Sequence, residues 1–152
     1  MNIAIVGATG NVGRKTLEVL EKKVAILEGA ESATAFSSGM AAISNTMFAC
    51  LRPGDRVVVG KDTYGGTSKI FMEFLPNYNI DVVFCDTTDN EKFKNEIDRK
   101  CELLYLETPT NPTLKVQDIQ LLSNFAKSKK ALVVVDNTLA TPINQNPLSL
   151  GA

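Results

Sequence analysis

Short apolar runs alternate with amphipathic stretches along this chain, and that alternation restricts the fold more than any other feature. Ile3–Val6 is an apolar run closed by Gly7. Further runs lie at Ala33–Ser37, Arg56–Val59, Asp81–Cys85, Glu102–Leu106 and Leu132–Val135. Apolar runs of this length describe strands buried on both faces. Between the first two, Leu17, Leu20, Val24 and Leu27 recur at helical spacing, with Arg14, Lys15, Glu18, Glu21 and Lys22 interleaved. The spacing predicts an amphipathic helix that ends near Gly29. Further helices are expected over Gly39–Leu51, Thr67–Leu75, Asn90–Lys100 and Gln117–Lys127. The Gly39–Leu51 stretch carries Met40, Ile43, Met47, Phe48, Cys50 and Leu51 on nearly every side, so it is expected to be the most buried helix.

About six strands alternating with about five helices give an α/β fold, a doubly wound and mainly parallel sheet with helices on both faces, Rossmann-like or flavodoxin-like. Right-handed crossovers place Arg56–Val59 between Asp81–Cys85 and Glu102–Leu106, with Leu132–Val135 next. Ile3–Val6 and Ala33–Ser37 are expected to complete the far side. With 152 residues, the chain has the material for one core, so residues 1–152 are read as a single domain. A net charge of −1 without a cluster of Lys or Arg argues against nucleic acid. No run approaches the roughly 18 apolar residues of a membrane span, and no signal peptide is evident at the N-terminus. Cys50, Cys85 and Cys101 are far apart and read as small buried hydrophobes of a reducing, cytoplasmic compartment. The chain has no histidine. That excludes imidazole bases, His-based triads and His-ligated zinc, and leaves any chemistry to Lys, Tyr, Asp, Glu, Cys or a cofactor.

Four polar segments fall at the carboxyl ends of expected strands: Ser37–Met40, Tyr64–Thr67, Thr108–Pro112 and Asp136–Thr138. Ligands of open α/β sheets bind at that edge, so these segments are expected to line one crevice. A fifth motif, Gly7-Ala8-Thr9-Gly10-Asn11-Val12-Gly13, sits between the first strand and first helix, where glycines let backbone N–H groups approach a phosphate. From Asn2 to about residue 23 the chain resembles the N-terminus of aspartate-semialdehyde dehydrogenases. That resemblance implies NADP pyrophosphate at Thr9, Gly10, Asn11 and Val12, with Gly7 and Gly13 shaping the loop. The ribose-reading group that such a site needs after a second strand is missing. A tight turn with a helix cap reads the same motif without a nucleotide.

From about Glu21 to Ala152 the chain resembles another family in nearly every block. The carrying runs are Leu27-Glu28-Gly29-Ala30-Glu31, Phe36-Ser37-Ser38-Gly39-Met40-Ala41-Ala42, Tyr64-Gly65-Gly66-Thr67, Glu107-Thr108-Pro109-Thr110-Asn111-Pro112-Thr113 and Val134-Val135-Asp136-Asn137-Thr138. They are similar to the pyridoxal phosphate (PLP) dependent enzymes of cysteine and methionine metabolism: cystathionine γ-lyase, cystathionine γ-synthase and methionine γ-lyase. The resemblance implies that N–H groups of Gly39 and Met40 hold the PLP phosphate. It implies that Tyr64 stacks on the ring, that Asp136 keeps the ring nitrogen protonated, and that Asn111 and Thr138 lie near the ring hydroxyl. Taken singly, the same residues read as a helix cap, a loop tyrosine, an Asn-Pro turn and a strand-end carboxylate.

The family's Schiff-base lysine and its substrate-binding C-terminal domain have no counterpart in the sequence, which implies loss of the lyase reaction. Two resemblances joined between Arg14 and Val24 suggest an engineered fold chimera with no catalytic residues, no metal and no required cofactor. Such a chimera would bind at most a small anion or phosphate, as a monomer or homodimer. The alternative is a residual PLP- or NADP-binding module derived from a lyase of this kind, with PLP the better supported cofactor.

Overall fold

The structure, a computed structural model, describes residues 11–152. The expected strand Ile3–Val6 and the positions Gly7, Thr9 and Gly10 lie outside the described residues. Helix α1 spans Asn11–Glu28 and therefore takes in Asn11, Val12 and Gly13. It stops where the sequence predicts. Gly29 adopts a φ of +66°, and the N–H of Ala30 reaches back to the Ala25 carbonyl at 2.8 Å. A side chain at Gly29 would disfavour this left-handed closure.

Among the described residues the sheet consists of β1 (Arg56–Gly60), β2 (Asp81–Cys85), β3 (Leu103–Glu107) and β4 (Leu132–Asp136), all parallel, in the order β2-β1-β3-β4. This is the order that right-handed crossovers demand of these strands. Val58 pairs with Val83 on one side and Leu104 on the other, and Leu104 pairs in turn with Val133. Side chains alternate between the two faces, as the two-residue strand period requires. Val57, Val59, Leu103 and Tyr105 pack on one face with Met47, Leu51, Phe71 and Leu75. Val58, Leu104 and Leu106 pack on the other with Phe93, Ile97, Leu122 and Ala126. The first cluster is covered by α2 (Gly39–Cys50) and residues 65–78, the second by α4 (Asn90–Arg99) and α5 (Ile119–Ser128).

Three local expectations need revision. Ala33–Ser37 is irregular and joins no sheet; the N–H of Ala35 is taken instead by the Glu21 carboxylate at 2.7 Å. Composition alone does not make a strand here, since at least one backbone donor of the segment is committed to a side chain on α1. The helix expected over Thr67–Leu75 begins as α3 (Gly65–Lys69), widens into a π turn over Ile70–Phe74 and tightens into a 3₁₀ turn over Leu75–Tyr78. Pro76 has no N–H to continue the α pattern, and it lies at the start of the 3₁₀ turn that ends the segment. Helix α2 is not the most buried helix: it has one buried residue, Met47, whereas α5 has Ile119, Leu122, Ser123 and Ala126. A helix laid on one face of a sheet buries one stripe only, and Phe48 on the outer side is 44% exposed. No helix among the described residues is long and apolar enough to cross a membrane.

The three cysteines are free thiols, two of them buried. Burial pushes Cys85 and Cys101 up to about 11. Both stay protonated at neutral pH and act as small core residues.

Candidate functional site

The carboxyl ends of β1, β3 and β4 face the N-terminus of α2 across a cavity of about 340 Å³. Its lining includes Ser38, Gly39, Met40, Tyr64, Asn111, Asp136 and Thr138. All six residues expected to cradle PLP are therefore brought together from four separate segments. Ile43, Pro109 and Leu139 supply the apolar wall, and Glu107 completes the lining.

Each segment is fixed by its own local chemistry. Ser38, in extended backbone, caps α2 by accepting the N–H of Ala41 on its hydroxyl at 3.1 Å. Built in ideal geometry, a Cβ on Gly39 would meet nothing within 4 Å, so this side of the cavity is open backbone. Gly66 is the opposite case: a Cβ there would come within 2.6 Å of Met40 Sδ and 3.0 Å of the Tyr64 ring. Met40 and the Tyr64 ring thus both use the space that a side chain at 66 would take.

Loop 108–118 is laced to itself. The Thr110 and Thr113 hydroxyls lie 2.7 Å apart, Thr110 Oγ1 accepts the Lys115 N–H at 2.9 Å, and Thr108 Oγ1 accepts the Gln117 N–H at 3.0 Å. Gln145 clamps it from beyond β4, donating to the Thr108 carbonyl at 2.7 Å and to Asn137 Oδ1 at 2.8 Å. Lys115 pairs with Asp62 at 2.8 Å and ties this loop to the end of β1. Asn111 is thus held on a braced loop rather than on a loose turn.

Two carboxylates stand at the strand ends. Asp136 closes β4 and is the register partner of Glu107 on β3. Its Oδ1 accepts the Thr138 N–H at 3.1 Å and the Thr138 hydroxyl at 2.5 Å, while Oδ2 accepts the Tyr105 hydroxyl at 3.2 Å. Glu107, 5% exposed, accepts the Tyr64 N–H on Oε2 at 2.8 Å and the Asn111 N–H on Oε1 at 2.9 Å. One side chain therefore sets the backbone of two cavity residues at once. Burial raises its pKa above the ordinary carboxylate range, the two backbone N–H groups oppose that rise, and the Asp136 charge adds to it. Among the described residues neither carboxylate makes an ion pair; all their donors are neutral. The cavity therefore presents negative charge at its floor and unpaired N–H groups at its α2 rim.

Glu107 and Tyr105 did not emerge from the sequence as site residues. The expected strand stopped at Leu106, which left Glu107 as the first loop residue, and Tyr105 read as one more apolar position. The usable signal was that two polar side chains sit at the end of a run otherwise made of Leu. A polar group in a strand covered on both faces has to find a partner.

Comparison with known proteins accounts for nearly the whole chain. The family described as Cys/Met metabolism PLP-dependent enzymes matches residues 10–152. L-methionine gamma-lyase of Fusobacterium nucleatum subsp. polymorphum is 46% identical over 142 residues, which is 93% of this chain and 36% of the relative. Cystathionine beta-lyase MetC of Bacillus subtilis is 44% identical over 139 residues, covering 91% of this chain and 35% of that protein. Among solved structures, metB of Corynebacterium glutamicum superposes with a TM-score of 0.88 at 41% identity, over 96% of this chain and 38% of that one. The chain spans a little over a third of the length of the relatives it matches. These matches overturn the chimera. A family match running through α1 includes Asn11, Val12 and Gly13 and crosses the junction expected between Arg14 and Val24. No dehydrogenase segment or NADP site is supported. The expectation of a non-enzyme with no required cofactor falls with it, because the matched relatives are lyases and the matched family is PLP-dependent.

Proposed function

This chain belongs to the Cys/Met metabolism PLP-dependent enzymes, and we propose that it forms the cofactor-holding part of the large domain of a lyase acting on sulfur amino acids. The observation that carries this reading is convergence: Gly39, Met40, Tyr64, Asn111, Asp136 and Thr138 come from four segments and line one cavity. The donor set fits the cofactor. N–H groups at the start of α2 suit a phosphate, because they are unpaired in the helix and lie at the positive end of its dipole. The Tyr64 ring offers a stacking face. Asp136 is an acceptor for a protonated ring nitrogen, and the absence of a neighbouring cation among the described residues leaves its charge to be matched by the ligand. Asn111 and Thr138, which line the same cavity, would serve the ring hydroxyl.

When bound, PLP supplies an electron sink for charge developing at a substrate carbon. The residues of this chain bind and orient it. Glu107 holds the Tyr64 and Asn111 backbones, Thr138 and Tyr105 fix the Asp136 carboxylate, and Ile43, Pro109 and Leu139 limit water at the wall. Methionine or cystathionine as substrate, with cleavage of a carbon–sulfur bond, is the reaction class that the relatives' names suggest for the whole protein. Titration with PLP followed by amide NMR tests the site. Shifts are expected together at Gly39, Met40, Tyr64, Asn111 and Thr138. Absence of shifts at millimolar ligand, or shifts confined to residues far from the cavity, would overturn the reading.

A further inference from the structure

Tyr105 is buried to 1% exposure on the sheet face that packs against Met47, Phe71 and Leu75. Its ring meets Phe71 edge-on with centroids 5.0 Å apart, an ordinary core arrangement. The hydroxyl is less ordinary. Buried among apolar side chains, it costs stability unless it is paired, and its hydrogen-bond partner is Asp136 Oδ2 at 3.2 Å. Thr67 Oγ1, fully buried beside the same hydroxyl, has no partner of its own meeting hydrogen-bond geometry. Building a phenol into this position therefore creates polar demand in the core that a phenylalanine would not, and the acceptor that meets it is a cavity carboxylate.

The two oxygens of Asp136 are gripped from different sides. Thr138 holds Oδ1 from an exposed loop, where water can take over its role. Tyr105 holds Oδ2 from inside the core, where water does not reach. A carboxylate offers about four acceptor sites; Tyr105 and Thr138 occupy three. Resting on the PLP reading above, we infer that Tyr105 is a positioning residue which locks the rotation of the Asp136 carboxylate so that its remaining acceptor site meets the cofactor's ring nitrogen. Burial first, then the Asp136 and Glu107 charges, holds the Tyr105 phenol well above its usual pKa. The hydroxyl therefore remains a donor across the working range of pH. Tyr64 lines the cavity itself and is half-exposed, whereas Tyr105 lies in the core behind Asp136, so the two tyrosines have separate tasks.

The test uses pyridoxamine 5′-phosphate labelled with ¹⁵N in the ring, a probe that needs no covalent link. Bound to the unaltered chain at mildly alkaline pH, its ring nitrogen is expected at the protonated position. With Tyr105→Phe, which keeps the ring and its packing on Phe71, the resonance is expected to move toward neutral pyridine and affinity to fall about 3- to 10-fold, the effect of one hydrogen bond. Asp136→Asn is expected to remove the protonated signal altogether. An unchanged ring-nitrogen signal in Tyr105→Phe would overturn this inference and leave the cofactor site standing. No binding by the unaltered chain would overturn the cofactor reading, and this inference with it. A second measurement needs no variant: the Tyr105 ¹³Cζ resonance is expected to stay phenolic beyond the ordinary phenol pKa of about 10 and to shift when the probe binds. An ordinary phenol titration there, or indifference to the probe, would also overturn it.

Discussion

The two edges of the sheet handle buried carboxylates in opposite ways. At the amino edge, Glu96 is 3% exposed and is surrounded by cations. Arg56 Nη2 lies 2.7 Å from one oxygen, Lys92 Nζ 2.7 Å from the other, and Arg99 3.3 Å away. The Arg56 fork also reaches Asp81 at 2.8 Å and the carbonyls of Glu96 and Lys100 at 2.7 Å each. At the carboxyl edge, Glu107 and Asp136 have only backbone N–H groups and hydroxyls. The amino edge is electrostatically complete within the chain and serves to hold β1, β2 and α4 together. At the carboxyl edge Glu107 and Asp136 are satisfied in hydrogen bonds but not in charge, which is the condition of a site whose counter-ion arrives with its ligand.

Removing the cation at the complete edge is the severest test of that contrast. Arg56→Ala leaves Glu96 buried with a weaker set of partners and strips two carbonyls of their donor. Breaking a buried pair from one side costs about 3 kcal/mol or more. Urea unfolding should show a loss of that order, with no change in which cavity amides respond to PLP. A loss below about 1 kcal/mol, the range of an exposed pair, would show that the amino edge is a solvated surface network instead.

Acid should act on the same edge, with a smaller effect. Hydrogen bonds from Lys92 and then Arg56, opposed by burial, hold the Glu96 pKa down to about 2. A carboxylate whose folded pKa lies below its unfolded value, about 4.3, contributes stability that is fully present above pH 5 and is lost as pH falls toward 2. Stability measured by urea at a series of pH values should therefore decline across that window. Glu96→Gln should flatten the decline while lowering the plateau. A decline of the same steepness in the variant would assign the acid sensitivity to other groups.

The contrast between the edges was only half legible in the sequence. Strand order could be read because β1 to β4 each have an apolar centre and right-handed crossovers leave few arrangements. The cavity residues could be read because Ser38-Gly39-Met40, Tyr64, Asn111 and Asp136 sit in blocks at strand ends, where an α/β sheet places its ligands. What escaped depends on partners distant in the chain. Ala33–Ser37 has the composition of a strand, and nothing in its letters says whether an edge is free to receive it. Helix α2 carries apolar residues on nearly every side, and nothing local says that only the Met47 side is covered. The Arg56–Glu96 pair spans forty positions. Glu107 lies one residue past the strand expected at Glu102–Leu106 but inside β3, and its burial depends on donors from Tyr64 and Asn111 that its neighbours in sequence do not announce.

Glu107 supplies the mildest test, and the one that bears most directly on the site. Glu107→Gln keeps the shape and one good acceptor, so either Tyr64 or Asn111 keeps its backbone hydrogen bond and the other loses it. Losing one such bond costs about 1 kcal/mol, and removing a charge beside Asp136 offsets part of that. The balance depends on pH. Because burial raises the Glu107 pKa, its ionisation works against folding, so its contribution declines as pH rises from the ordinary carboxylate range through the raised value. The stability of the chain relative to Glu107→Gln should thus fall as pH rises from acid toward neutral, the reverse of the trend at Glu96. Amide exchange should locate the change, with faster exchange at Tyr64 or Asn111 and none at the amino edge. A cost near neutral pH as large as that of Arg56→Ala would mean that Glu107 is charge-balanced after all. The carboxyl edge would then be as complete as the other, with no need of a ligand to finish it.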